Sequence, residues 1–271
     1  MPLGYAVDLR SVVAHAATTA PDTMATVKSN QRLWYPAFEA VEPYVVKVIT
    51  TQGTGTGFLI TSVKKPNLIG IATAAHVVQF AHYWKQPIQI EHAKSGKTIF
   101  LNEADRVITV NYERDTASIV LQRDETPFPA NSLPLIPENK HLKVGVEVGW
   151  MGFPAIAPSN LCFFSGSVSC WVENEGYYFV DGVAINGVSG GPTFQVAEDN
   201  SVWIIGLVSA YVPNLATGTA MPGLCVVRDI FPLYGVIKGL KSLEEAKQKE
   251  TPSESPPPPP SGPAGNEPTR G

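Results

Sequence analysis

The sequence predicts an all-β protein: two β units of about one hundred residues each, followed by a single helix. Three observations carry this reading. Between residues 40 and 240 the apolar residues fall in short runs broken by Gly, Asn and Pro, which is the signature of strands and turns, not of alternating strand–helix units. A polar, proline-containing stretch, Asp124–Lys140, divides this region into near-equal halves. Helical spacing emerges only near the end, where Ile230, Leu233, Tyr234, Ile237 and Leu240 recur every three or four residues and Pro232 fits a first turn.

Taken in order, residues 1–40 read as an N-terminal arm or short helix. The mildly apolar stretch at 11–20 lacks the features of an export signal: Asp8 precedes it, His15 and two threonines interrupt it, and no Lys/Arg cluster leads it. A cytoplasmic location is therefore expected. The first β unit, residues 41–130, begins with the β-branched run Val45–Thr50. Gly53, Gly55 and Gly57 then punctuate a hairpin, and Leu68–Thr73, Arg106–Val110 and Ala117–Leu121 continue the strands. The second unit, residues 131–240, contains Val144–Met151, Leu161–Val172, Tyr177–Ile185 and Val202–Val212, and ends in the helix. Residues 241–271 read as a disordered, proline-rich tail. Eight of the 24 prolines lie in residues 252–271, a stretch without the large apolar side chains that repay ordering entropy. Its five consecutive prolines favour polyproline II, the conformation of spacers and of ligands for aromatic grooves.

Composition narrows the functional classes. With 20 Lys+Arg against 24 Asp+Glu, the net charge of −4 provides no broad basic face for nucleic acid. The longest apolar run, Trp203–Val212, is about half of the roughly 18–20 residues that span a bilayer, so no membrane partner is expected. Three cysteines do not make a disulfide framework; Cys162 and Cys170 fall on what read as facing strands and are expected to be reduced. No His/Cys spacing matches a zinc site, and no cofactor is implied.

The strongest local signal is Asn186-Gly187-Val188-Ser189-Gly190-Gly191-Pro192. A serine between glycines sits on a tight turn. If the Gly187 and Ser189 amides converge on one point they form an oxyanion hole, which stabilises charge that develops in a transition state. A serine hydroxyl needs a base. Of His15, His76, His82, His92 and His141, only His76 directly follows a strand end, among small residues that leave room for a second chain; the other four are expected to be structural. A histidine base needs an acceptor on its second nitrogen, and Asp115 opens the buried-looking strand Asp115–Leu121.

In the order His76, Asp115, Ser189 these segments resemble the chymotrypsin-like (trypsin-fold) serine peptidases, most closely the HtrA/Deg-type branch. The match runs over about residues 40–240. Gly53-Thr54-Gly55-Thr56-Gly57-Phe58-Leu59-Ile60 resembles that branch's glycine-punctuated hairpin, and Thr73-Ala74-Ala75-His76-Val77 its histidine motif. Asp115–Leu121 looks like the aspartate strand and Gly149-Trp150-Met151-Gly152-Phe153-Pro154 like the turn opening the second barrel. Gly187–Pro192 is similar to the nucleophile turn, and Gly206-Leu207-Val208-Ser209 to the strand that lines the substrate backbone.

The resemblance implies two six-stranded antiparallel β-barrels with the active site between them, His76 and Asp115 on the first and Ser189 on the second. It implies a serine endopeptidase acting on a protein or peptide substrate through an acyl-enzyme. Val188 stands where the family usually has Asn or Asp, which backbone oxyanion donors tolerate. No PDZ-like segment is read after residue 240, and no Ile-Val-Gly-Gly start suggests a zymogen. Val183, six residues before the serine, takes the position that floors the primary pocket, with Tyr211 and Cys225 on its walls. Without a buried carboxylate there, small or medium apolar P1 residues are expected. The rival readings are a non-catalytic peptide-binding module and a latent peptidase assembled by an activating partner on the N-terminal arm.

Overall fold

The computed structural model describes residues 34–64, 66–123, 126–213 and 220–250, with the backbone alone at 210–213, 220–222 and 250. Both the arm before residue 34 and the proline-rich tail after residue 250 lie outside the described residues. A short helix, α1 (Trp34–Val41), leads into β1 (Val45–Thr50), β2 (Gly53–Val63) and β3 (Leu68–Thr73). Helix α2 (Ala75–Tyr83) follows at once, then β4 (Ile88–His92), β5 (Thr98–Leu101), β6 (Arg106–Asn111) and β7 (Thr116–Gln122). These seven strands form one antiparallel sheet in the order β5-β4-β1-β2-β3-β7-β6. Its end strands β5 and β6 are not paired with each other, so the first unit is a curled, open sheet of seven strands where a closed barrel of six was expected.

The second unit comprises β8 (Glu147–Gly152), β9 (Cys162–Val172), β10 (Tyr177–Asp181), β11 (Pro192–Val196), β12 (Val202–Pro213) and β13 (Ala220–Asp229). It closes as the expected six-stranded barrel, in the order β10-β13-β12-β11-β8-β9. The strand predicted over Tyr177–Ile185 stops at Asp181: the Gly182 N–H still bonds the Gly223 carbonyl of β13 (3.0 Å), and beyond it the chain enters the loop that leads to β11.

Burial explains how the units meet. A sheet with one solvated face alternates buried and exposed residues, but β2 from Gly55 on and β3 are buried at nearly every position because both their faces are covered. Leu59, Ile69 and Ile71 point into the core of the first sheet with Val46, Val48 and Ile119. Phe58, Ile60 and Ala72 point the other way, into a core shared with Trp150, Phe194 and Tyr178 of the barrel. Each fully buried large apolar side chain contributes about 1.5–3 kcal/mol, so this shared layer docks the two units firmly. No disulfide assists among the described residues: Cys162, Cys170 and Cys225 are all free. Cys162 and Cys170 do not face each other as expected. Both lie on β9, eight residues apart and hence about 26 Å along one strand.

The terminal helix, α3 (Tyr234–Glu250), begins after a 3₁₀ turn that contains Pro232. It packs on the first sheet, not only on the barrel that precedes it in sequence. A methyl added at Gly70 of β3 would lie 3.5 Å from Leu240, and Glu244 accepts the Lys64 N–H at 2.7 Å. No helix among the described residues is long and apolar enough to cross a membrane.

Candidate active site

His76 reaches the cleft because β3 ends at Thr73 and α2 starts two residues later, placing the imidazole in the helix's first turn. Asp115 sits at the tight turn between β6 and β7. Its φ of +46° is a left-handed conformation that aspartate adopts more readily than most residues. The turn is held by bonds from the Arg114 N–H to Asn111 Oδ1 (3.0 Å) and from the Ala75 N–H to the Asp115 carbonyl (3.2 Å). The second of these ties the aspartate turn directly to the histidine helix. His76 Nδ1 lies 2.9 Å from Asp115 Oδ2 and 3.0 Å from Oδ1, and the His76 amide donates to Oδ1 at 3.0 Å.

Asp115 has a further donor. The Ser209 hydroxyl, buried on β12, makes a short hydrogen bond to Asp115 Oδ2. Burial favours the neutral carboxyl and is the largest single influence. The His76 ring, the Ser209 hydroxyl and the His76 amide together outweigh it and hold Asp115 below the usual carboxylate range. The sequence places Ser209 on the strand that lines the substrate backbone; its side chain bonds the aspartate, and its carbonyl accepts the Ser189 hydroxyl at 3.2 Å. A run of hydrogen bonds thus links His76, Asp115, Ser209 and Ser189. Among the described residues no bond joins His76 to Ser189 directly, although both line one cleft of about 200 Å³.

The nucleophile turn is shaped by contacts with the first sheet. Gly187 (φ +94°) and Gly190 (φ +84°) adopt conformations that L side chains rarely take. A Cβ on Gly187 would lie 2.2 Å from the Phe153 carbonyl oxygen, and one on Gly190 would lie 2.2 Å from that of Thr56. Within the turn the Val188, Gly190 and Gly191 amides donate to the carbonyls of Ile185, Val208 and Val188. The Gly187 and Ser189 amides make no such bond among the described residues. The Asn186 carbonyl accepts the Ala155 amide at 2.7 Å, and across a trans peptide the Gly187 N–H points the opposite way.

Thr56, part of the glycine-punctuated hairpin, emerges as a functional residue that the sequence did not single out. It is fully buried. Its hydroxyl donates to the Gly187 carbonyl (2.8 Å) and accepts the Phe153 amide (3.1 Å). Its own amide donates to the Ser189 carbonyl (2.8 Å), and its carbonyl accepts the Thr73 hydroxyl (2.7 Å). One residue of the first sheet therefore clasps the serine turn on both sides of Val188. The only trace in the sequence is a hydroxyl amid glycines, which ordinary turns also show.

The residues expected to form the specificity pocket do not assemble around one cavity. Val183 is half exposed (49%) on the loop between β10 and β11, and does not floor an enclosed pocket. Cys225 is fully enclosed in the barrel core, its thiol pushed up to about 12 by burial, and so is not a wall residue. Tyr211 pairs with Cys225 through its backbone, and its side chain lies outside the described set. Two of the other histidines are structural, as expected. His92 is buried with both ring nitrogens paired, to Ser95 Oγ and the Pro43 carbonyl, and His141 stacks on Trp171 with centroids 4.3 Å apart. Among the described residues no cluster of His, Cys, Asp or Glu is arranged to hold a metal ion.

No family model matches the sequence, and no curated protein does. Solved structures do match. The chain is similar to the Rv3671c protease of M. tuberculosis in an inactive form, at 18% identity and a TM-score of 0.53, over 76% of this chain and 92% of that one. It is also similar to a serine endoprotease from Yersinia pestis, at 17% identity and a TM-score of 0.56, over 77% of this chain and 66% of that one. The chain therefore has the fold of the trypsin-like serine proteases. At these identities the likeness concerns the fold, and the chemistry rests on the residues just described.

Proposed function

We propose that this protein is a serine endopeptidase in which Ser189 attacks the scissile carbonyl, His76 accepts and then returns the proton, and Asp115 fixes the imidazole. The observation that carries this reading is the doubly bonded His76–Asp115 pair facing, across one cleft, a serine whose own amide, like that of Gly187, makes no backbone bond among the described residues. The aspartate holds the His76 Nδ1 proton, which leaves Nε2 as the base. The Gly187 and Ser189 amides form the oxyanion hole, each worth about 3–4 kcal/mol in the transition state. Water then repeats the sequence on the acyl-enzyme.

One observation favours a second state of the same enzyme. The Ser189 hydroxyl is held by the Ser209 carbonyl, so attack requires the serine to rotate toward His76. Catalytic hydrogen bonds are often unmade in a free enzyme and tighten when substrate binds. This is the resting arrangement that a substrate, or an activating partner, converts.

Labelling with a fluorophosphonate probe tests the assignment. Wild type should label and Ser189→Ala should not, with kcat on peptide substrates lowered by up to roughly 10⁶-fold in Ser189→Ala and His76→Ala. Labelling that survives Ser189→Ala removes the serine from its role, and unlabelled wild type returns the chain to a binding module. Small or medium apolar P1 residues are the proposed preference, supported by the lack of any Asp or Glu among the residues that line the cleft beside Ser189. Cleavage after Lys or Arg in a peptide library would overturn it and point to Asp181, whose carboxylate lies 3.9 Å from where a Gly223 side chain would begin.

A further inference from the structure

Helix α2 carries His76 in its first turn and a quite different set of residues at its other end. Phe80, Tyr83 and Trp84 are 37%, 72% and 60% exposed, and Tyr112, from the turn after β6, is 63% exposed. With Gln79 they line a surface groove of about 270 Å³. The rings touch: Trp84 lies 6.2 Å from Phe80 and 5.0 Å from Tyr83, the latter edge-on. A single exposed aromatic residue is ordinary, but a contiguous patch of four marks an interaction surface. None of the lining residues is charged, so the groove offers nothing to a charged ligand. Flat aromatic walls carrying hydroxyl and indole donors are the surface on which proline rings of a polyproline II segment stack.

This chain holds such a segment. Pro256–Pro260 is an uninterrupted run of five prolines, with no charge between Glu254 and Glu267. We infer that the groove formed by Phe80, Tyr83, Trp84 and Tyr112 binds the Pro256–Pro260 segment of a second copy of this chain. Geometry sets the source. Helix α3 passes Gly70 at Leu240 and reaches Lys64 at Glu244, running toward the β2–β3 turn, whereas α2 leaves β3 at its opposite end. The length of β3 is about 17 Å, and the last turns of α3 add roughly 9 Å in the wrong direction. Six residues from Glu250 to Pro256 span at most about 21 Å fully extended, so the start of the run falls short of the chain's own groove and the five prolines cannot all lie in it. A neighbouring copy meets no such limit. The contact is heterologous, groove to tail, and propagates as a ring or an open string. It is independent of the proposed peptidase activity.

Sedimentation velocity on the full chain over a wide concentration range tests this, together with the indole N–H resonance of Trp84 during titration with the synthetic peptide SESPPPPPSGP. Association is expected to rise with concentration. It should weaken by about tenfold or more in Trp84→Ser, and likewise in a chain carrying Pro257→Ser, Pro258→Ser and Pro259→Ser. Mixing the two variants should restore a heteromeric pair, because one retains the tail and the other the groove. Trp84 is exposed, so its loss leaves the core intact and reads on the groove. A chain that stays monomeric while the peptide leaves the Trp84 signal unmoved overturns the proposal. So does self-association that survives the proline changes but not Trp84→Ser, which indicates groove-to-groove contact. Peptide binding without self-association overturns the second copy as the source.

Discussion

Replacing Thr56 with valine keeps the shape of the side chain and deletes only its hydroxyl. In the folded protein that hydroxyl satisfies two backbone groups that have no access to water, the Gly187 carbonyl and the Phe153 amide. A buried polar group left without a partner costs about 1–3 kcal/mol, and partial relaxation of the turn brings the pair to about 3 kcal/mol in all. For a folded body of about 200 residues each kcal/mol lowers Tm by about 2–4 °C, so Thr56→Val should melt roughly 6–12 °C below wild type. Thr56→Ser keeps both bonds and loses one methyl, and should melt only a few degrees lower.

Activity should separate the two variants more sharply. The Gly187 carbonyl belongs to the turn that carries the proposed oxyanion donors, and releasing it lets those donors drift relative to each other. Outright deletion of one oxyanion donor lowers kcat by about 10²–10³-fold. A loosened donor should cost Thr56→Val about ten- to a hundredfold, with Thr56→Ser close to wild type. Differential scanning calorimetry gives the stabilities, and the rate of fluorophosphonate labelling reports the turn without needing a substrate. If Thr56→Val melts with wild type and labels at the same rate, the clasp between sheet and serine turn has no energetic content and the argument fails.

Three further outcomes follow from the same site. Ser209→Ala removes a hydrogen bond to a charged acceptor while leaving the carbonyl that holds Ser189, and kcat should fall by about 10- to 100-fold, less than in Asp115→Asn. Because the Asp115 pKa is lowered on folding, its contribution to stability is complete above the unfolded value near 3.9 and is lost as pH falls through the folded value. Chemical denaturation at stepped pH should show a wild type to Asp115→Asn gap that is constant near neutrality and shrinks below about pH 4; a gap that widens on acidification would contradict the sign. Cys225, with its thiol raised to about 12, should resist a disulfide reagent until the barrel unfolds. Labelling of Cys225 in the native protein, located by peptide mapping, would put it back on a pocket wall.

What the sequence could disclose depended on how local the cause of each feature was. Strands β1 and β3 match their predicted bounds residue for residue, because β-branched apolar runs ended by glycine or polar turns need only their own neighbours to be read. Helix α2 went unpredicted. Its buried residues, Ala75, Val78 and Ala81, are small and spaced on one face, but Val77 and Val78 lower helical propensity, and the preceding apolar strand hides where one period gives way to the other. Strands β4 and β5 are short, β4 with polar residues between apolar ones and β5 only four residues long, and the sheet's open edge depends on pairings made across the chain. The end of β10 is hidden for a similar reason: Val183, Ala184 and Ile185 look like strand residues, and only the end of the pairing with β13 after Gly182 shows that the chain has left the barrel.

The candidate site divides along the same line. His76, Asp115 and Ser189 stood out because each lies in a short motif whose meaning is local. The residues that bring them to one place are not of that kind. Ser209 touches Asp115 across a separation of 94 residues, and Thr56 touches Gly187 across 131. In both cases a residue of one unit satisfies a group of the other, so the proposed triad and oxyanion turn become aligned only when the open sheet docks on the closed barrel. Phe58, Ile60 and Ala72 drive that docking, and they flank or face Thr56 on the same pair of strands. A cavity cut in this shared layer, as by Phe58→Ala, should therefore reduce activity as well as stability, although Phe58 lies outside the cleft. The geometry of the proposed active site is a property of the interface between the two units, and neither unit holds it alone.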